Sequence, residues 1–229
     1  MKLINIPNII TCCNLLCGCF AILFGLQGEL GIASILIIMG AVFDFFDGLT
    51  ARALHISGPI GKELDSLADV VTFGIAPSVL AYQIVSSFVG HPVWLSYACF
   101  IMAACSALRL AKFNCDERQH LSFIGLPTPA NAIFWIGLVY VNKMHLFVMP
   151  YTYLVILLIF SYLLICEIPM FSLKLKPGHN GFAENKARYI FLIGSIIIAI
   201  VLTLCGAFCT APAAIILLYI LLSLFVYKA

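Results

Sequence analysis

Long apolar runs separated by short polar breaks dominate the chain. Eight stretches have the length and character of membrane helices, at residues 9–26, 30–52, 61–88, 92–114, 126–145, 150–168, 188–205 and 210–227. A spanning helix needs about 20 mostly apolar residues. No stretch alternates apolar and polar positions with period two, so the pattern predicts helices and not the strands of a barrel. The third stretch is long enough to project beyond the bilayer. The breaks are short except at 169–187, where Lys174, Lys176, Pro177, Gly178, His179, Asn180, Gly181, Glu184 and Lys186 predict a surface loop. The expected architecture is all-α: a polytopic bundle of about eight transmembrane helices. It would form a single membrane domain over residues 1–229, because no soluble stretch is long enough for a second core.

Composition agrees. Hydrophobic residues make up 63% of the chain and charged residues 10%, against roughly 25% charge in a soluble domain. The net charge of +2 identifies no partner, and no nucleic acid is expected. The placement of the charges says more. With eight spans the two termini share a side. Lys2, Arg52, Lys62, Arg109, Lys112, Arg118, Lys174, Lys176, Lys186, Arg188 and Lys228 fall on that side, and Lys143 alone falls on the other. This asymmetry predicts an inner-membrane protein with both termini in the cytoplasm. The start, Lys2 followed by an apolar run, mimics a signal peptide. Asn8, Thr11 and Asn14, and the lack of a convincing small-residue cleavage site, predict a retained first helix instead. The ten cysteines lie mostly in apolar runs, where cysteine acts as a small hydrophobe. Cys12, Cys13, Cys17 and Cys19 match no zinc spacing and have no histidine beside them.

Against this apolar background four aspartates stand out. Asp44, Asp47, Asp65 and Asp69 lie within 26 positions, out of ten carboxylate side chains in the chain. Carboxylates near a bilayer are costly and mark function. Asp44 and Asp47 are three apart and share a face of the second helix; Asp65 and Asp69 are four apart and share a face of the third. The turn signal Ser57-Gly58-Pro59 makes these helices an antiparallel pair. Their carboxylates would meet at its cytoplasmic end, where they repel unless cations lie between them. Hard oxygen donors at this density suit a divalent cation. Gly48 and Ala51 remove bulk beside Asp47, and Gly61 belongs with them; either ligand access or close helix packing would use such residues. Arg52 is placed to meet a phosphate. A metal cluster at the lipid–water boundary suits a substrate with a lipid tail and a pyrophosphate head, and one aspartate would accept the proton of an attacking hydroxyl.

The pattern Asp-x2-Asp-Gly-x2-Ala-Arg-x8-Gly-x3-Asp-x3-Asp is filled by Asp44, Asp47, Gly48, Ala51, Arg52, Gly61, Asp65 and Asp69 with no departure. In it the chain resembles the CDP-alcohol phosphatidyltransferases. The resemblance implies that family's membrane fold and the transfer of a phosphatidyl group from CDP-diacylglycerol to an alcohol, with release of CMP. It implies a site for Mg2+ or Mn2+, two ions, at Asp44, Asp47, Asp65 and Asp69, with Asp69 as general base. It places Gly48, Ala51, Arg52, Gly61, Asn8 and Thr11 around the CDP-diacylglycerol. Relatives of this kind are commonly homodimers.

Three further stretches resemble the serine-using branch of that family in bacteria and archaea: Ala107–Asn114, Gly125–Ala130, and the opening Pro7-Asn8-x2-Thr11-x2-Asn14-Leu15-x-Cys17-Gly18. Together they span residues 7–130; the helices over 150–229 carry no readable motif. Relatives with a phosphorylated acceptor often carry arginine at the place of Asn14, so Asn14 fits an acceptor without a phosphate. L-Serine offers a hydroxyl nucleophile and a carboxylate that needs a cation. Arg109 is the candidate for that carboxylate, Asn114 for the amino group, and Asn14 completes the expected serine set. Simple positive-inside anchoring by Arg109 and Lys112 is the competing reading. Other acceptors, such as glycerol 3-phosphate, inositol phosphate or choline, would use the same chemistry. A cation transporter is the remaining alternative; it would place acidic groups near the bilayer midplane, on broken helices.

Overall fold

The computed structural model describes residues 4–56, 58–88, 92–116, 123–144, 149–171 and 182–228. Among them the chain forms eight helical rods, one for each apolar stretch. The first two are α1 (Ile6–Leu26) and α2 (Leu30–Ala53). The third runs without a break as α3 (Pro59–Asp69), a π-helical segment (Val70–Ile75) and α4 (Ala76–Ser86). The fourth joins α5 (Val93–Tyr97) to α6 (Ile101–Cys115) through one 3-10 turn. Then come α7 (Thr128–Lys143), α8 (Pro150–Ile165), α9 (Phe182–Leu204) and α10 (Ala211–Lys228). A two-residue ladder, β1 (Phe123–Ile124) against β2 (Pro169–Met170), clips the approach to α7 to the exit from α8.

Helix starts are chemically marked. The Asn5 side chain accepts from the Asn8 N–H at 2.8 Å and caps α1, and prolines occupy the first turns of α1, α3, α7 and α8, where their missing N–H has no helical partner to lose. Six rods are long and apolar enough to cross a membrane, so the protein is an integral membrane protein. The remaining two, α7 and α8, are 16 residues each, about 24 Å, shorter than a hydrocarbon core of about 30 Å.

The packing differs from the expected pairing in one respect. The sequence pairs α2 with the third rod directly; in the structure α1 lies along α2 and also packs on α3, the π segment and α4. Small residues permit this. A Cβ on Gly18 would collide with Thr72 of the π segment, and one on Gly40 would sit 2.9 Å from Asn14 Oδ1. Three helices therefore converge just below the aspartates.

The densest core lies between α4, α7 and α8, where Leu80, Ile84, Trp135, Tyr153 and Leu157 are fully buried. By contrast α9 leaves Ile190, Ile193, Ile196 and Ile200 more than half exposed, as a face toward lipid would be. Residues 172–181 of the expected polar loop at 169–187 lie outside the described residues, as do Lys2, Ser57 and Arg118; its described ends are not loop, since 169–170 form β2 and 182–187 belong to the start of α9.

Candidate functional site

Asp44 and Asp47 lie in the last three turns of α2, and Asp65 and Asp69 lie in the last two turns of α3. On α2, Asp44 and Asp47 turn inward while Phe45 and Phe46 between them remain 61% and 48% exposed. On α3, Asp65 and Asp69 lie on the inner face. The result is a triplet: one carboxylate oxygen from each of Asp44, Asp47 and Asp65 lies within 4.8 Å of the others. Asp69, buried one turn deeper, stands outside it.

The triplet fits a hard divalent cation. Its donors are all carboxylate oxygens. Among the described residues Asp65 Oδ1 is buried with no hydrogen-bond partner, an arrangement that costs free energy unless a cation or other ligand uses the atom.

The first helix supplies the supports. Thr11 Oγ1 donates to Asp47 Oδ2 at 2.6 Å. Asn14 Nδ2 donates to Asp69 Oδ1 at 3.2 Å, and Thr72 Oγ1 donates to the Asn14 carbonyl at 3.0 Å. Thr72 falls in the π segment that begins directly after Asp69. Single π turns inside helices recur at functional sites, because they re-aim the residues around them.

Two clefts flank α3. The first, about 250 Å³, is lined by Pro7, Asn8, Thr11, Asp47, Gly48, Ala51, Ile56, Gly58, Gly61, Lys62 and Asp65. Gly48 leaves this side open: a Cβ there would meet nothing closer than Arg52 Nη2 at 4.0 Å. Arg52 folds back so that its Nε donates to the Gly48 carbonyl at 2.9 Å. Of the six residues expected to share a pocket, Asn8, Thr11, Gly48, Ala51 and Gly61 do; Arg52 is not in its lining, because its side chain is turned back onto the Gly48 carbonyl.

The second cleft, about 210 Å³, is lined by Lys62, Asp65, Ser66, Asp69, Arg109, Leu110, Phe113, Asn114, Pro127, Thr128 and Pro129. Arg109 is only 6% exposed. One guanidinium N–H donates to Thr128 Oγ1 at 3.4 Å, and the Phe113 ring lies 5.3 Å from its centre. Its Nε has no hydrogen-bond partner among the described residues. Asn114 Nδ2 donates to Ser66 Oγ at 2.8 Å, and Lys62 Nζ donates to the Asn114 carbonyl at 2.9 Å. Gly125 brings Thr128 here. It has φ +77°, and a Cβ on it would stand 2.7 Å from the Leu164 carbonyl, so only glycine passes the end of α8 in this conformation.

Arg109 and Asn114, expected together, thus line one cleft with Asp69. Asn14, expected with them, is fully buried and lines neither cleft; its amide is spent on Asp69. Lys62 and Asp65 line both clefts and form the wall between them. The roles of Lys62, Ser66 and Thr72 were missed from the sequence. Lys62 and Ser66 sit inside the acidic motif, so their spacing was a usable signal; nothing marked Thr72.

Comparison with known proteins bears on the same residues. The family model described as CDP-alcohol phosphatidyltransferase matches residues 4–227. A Bacillus subtilis protein named CDP-diacylglycerol–serine O-phosphatidyltransferase is 37% identical over 183 residues, covering 76% of this chain and 94% of that protein. Proteins of the same name from Methanocaldococcus jannaschii and Mycobacterium bovis are 37% and 38% identical over 136 and 141 residues. Those matches cover 59% and 58% of this chain, but only 61% and 48% of the relatives' own lengths.

Proposed function

This chain belongs to the CDP-alcohol phosphatidyltransferase family, and on that premise we propose that it transfers the phosphatidyl group of CDP-diacylglycerol to the hydroxyl of L-serine, giving phosphatidylserine and CMP. The observation that carries the reading is the pair of clefts meeting at Asp65, with the acidic triplet at the junction and a buried, partly unpartnered Arg109 in the second cleft. A nucleotide lipid needs the first, and a small alcohol that carries a carboxylate needs the second. The name shared by the relatives supports serine as that alcohol.

The nucleotide side works by making room. Gly48, Ala51 and Gly61 let the pyrophosphate approach the helix backbones, while Asn8 and Thr11 offer polar contacts and Arg52 stands at the edge to meet a phosphate. Asp44, Asp47 and Asp65, with Asp69 adjacent, would hold Mg2+ or Mn2+, two ions by analogy with the family. Bound there, the cations balance charge on the pyrophosphate and on the departing CMP. On the acceptor side the Arg109 guanidinium takes the serine carboxylate and Asn114 lies near the amino group. Asp69 accepts the hydroxyl proton, and the serine oxygen attacks the phosphorus nearest the diacylglycerol. Ser66, the motif serine that lines the second cleft, has its hydroxyl committed to the Lys62 carbonyl and to Asn114, which favours a direct transfer over a covalent intermediate.

Arg52, Lys62, Arg109 and Lys112 gather at the end of the bundle that holds the aspartates, and Lys143 ends α7 at the other. Under the positive-inside rule this end faces the cytoplasm of the inner membrane, where CDP-lipid enters laterally with its acyl chains still in the bilayer. A homodimer of one membrane domain per chain completes the proposal. The test is release of CMP by detergent-solubilised protein offered L-serine, glycerol 3-phosphate, inositol phosphate or choline in parallel, with Mn2+ and with EDTA. Serine-dependent, chelator-sensitive release is expected; release with another alcohol only would reassign the acceptor.

A further inference from the structure

We propose that Asn14 is a positioning residue for Asp69, and not a ligand of the acceptor. It holds one oxygen of that carboxylate so that the other faces the acceptor hydroxyl. The inference rests on the reading of Asp69 as the proton acceptor.

Four observations converge on it. Asn14 is fully buried and lines neither cleft, so it cannot touch a substrate without rearrangement of the bundle. Its amide Nδ2 donates to Asp69 Oδ1. An ionised carboxylate can only accept, which fixes the amide with its nitrogen toward Asp69. Asp69 itself lines the second cleft, and with Oδ1 taken, Oδ2 is the oxygen left for chemistry.

The helix carrying Asn14 is in turn locked. Thr72 Oγ1 donates to the Asn14 carbonyl, and the missing Cβ atoms of Gly18 and Gly40 let α1 and α2 close around Thr72 and the Asn14 side chain. The orientation also has a cost: Asn14 Oδ1 is buried without a hydrogen-bond partner among the described residues. A residue kept only to fill space would not leave a carbonyl unpaired there; one kept to orient a carboxylate would, because only the N–H₂ end does that work. The arrangement is that of a base held by a third group, as in other sites where a proton acceptor is aimed by its neighbour.

The experiment uses Asn14→Leu, which keeps the number and branching of side-chain heavy atoms and removes the donor, with Asn14→Ser as a second variant that adds no bulk should the first fail to fold. Serine-dependent CMP release and Mn2+ binding, the latter by paramagnetic resonance without substrates, are measured on each folded variant. The expected result is a fall in kcat of about 30- to 100-fold, at or below the low end of the roughly 10²- to 10⁴-fold contribution of a general base because the carboxylate itself remains, with the KM values for serine and CDP-diacylglycerol and the Mn2+ affinity within about threefold of wild type. In an Asp69→Asn background the same change should alter the residual rate less than about twofold, since the group it aims is gone. A kcat within twofold of wild type, a loss confined to the KM for serine, or a loss that tracks Mn2+ affinity would each overturn the proposal. Wild-type protein run alongside keeps the two ideas apart. If it releases CMP only with another alcohol, the acceptor assignment fails, and the kcat of the Asn14 variants with that alcohol still decides the role of Asn14.

Discussion

The two clefts on either side of α3 are built from opposite materials. The first is walled largely by what is missing: Gly48, Ala51, Gly58 and Gly61 contribute almost no side chain. The second is walled by functional groups: Arg109, Asn114, Thr128 and the Phe113 ring. A pocket of small residues admits a bulky phosphate-bearing ligand close to helix backbone and leaves its chemistry to the ligand and to cations. A pocket of charged and polar side chains selects a small molecule by contact. On the proposed function, the shared part of the reaction and the selective part would be separated by a single helix turn, with Lys62 and Asp65 in the wall.

Substitutions can break that division, and the largest effect should come at its boundary. Asp69→Asn is expected to lower turnover about 10³-fold while CDP binding, measured calorimetrically, changes less than a few-fold. Full activity in this variant would remove Asp69 as the proton acceptor. Next is Arg109→Leu, which deletes the buried cation of the second cleft. The kcat/KM for serine should fall about 100-fold, as expected for a charged hydrogen bond, with the KM for CDP-diacylglycerol nearly unchanged. An equal effect on both substrates would erase the distinction between clefts.

Gly48→Leu tests the other side. The nearest protein atom to an added Cβ is 4.0 Å away, and leucine favours a helix over glycine by about 0.5–1 kcal/mol. Thermal stability should hold or rise while the KM for CDP-diacylglycerol rises about tenfold, which steady-state kinetics would read. The smallest effect is expected at the rim, where Lys112 Nζ and Glu167 Oε1 are 3.0 Å apart with side chains 36% and 69% exposed. Glu167→Gln should change serine turnover less than about twofold, since exposed ion pairs contribute at most about 1 kcal/mol. A large loss there would mean that the pair closes the second cleft.

The readable parts of the site were those carried by spacing on one helix. Asp44 with Asp47 and Asp65 with Asp69 had to share faces because of helical periodicity, and the small residues between them follow the same helices. What spacing could not reveal was which third element would stand between the pairs. Asn14 read as an acceptor ligand because relatives with a phosphorylated acceptor often carry arginine at its place. Only its burial and its bond to Asp69 show where the amide points. Gly18 and Gly40 had no readable role until Thr72 was found against both. Likewise α7 and α8 read as ordinary spans, yet each is 16 residues, and α7 forms part of the densest core.

The chain alone fixed its membrane character, its helical rods and the grouping of its carboxylates, since all three follow from local composition and from the repeat of the helix. The folded molecule decided how α1 wedges against α2 and α3, how one acidic band is divided between two clefts, and which way Asn14 and Arg109 turn. Those depend on contacts between residues as many as 58 positions apart, such as Thr72 to Asn14, and close approach of that kind is a property of packing that no single helix encodes.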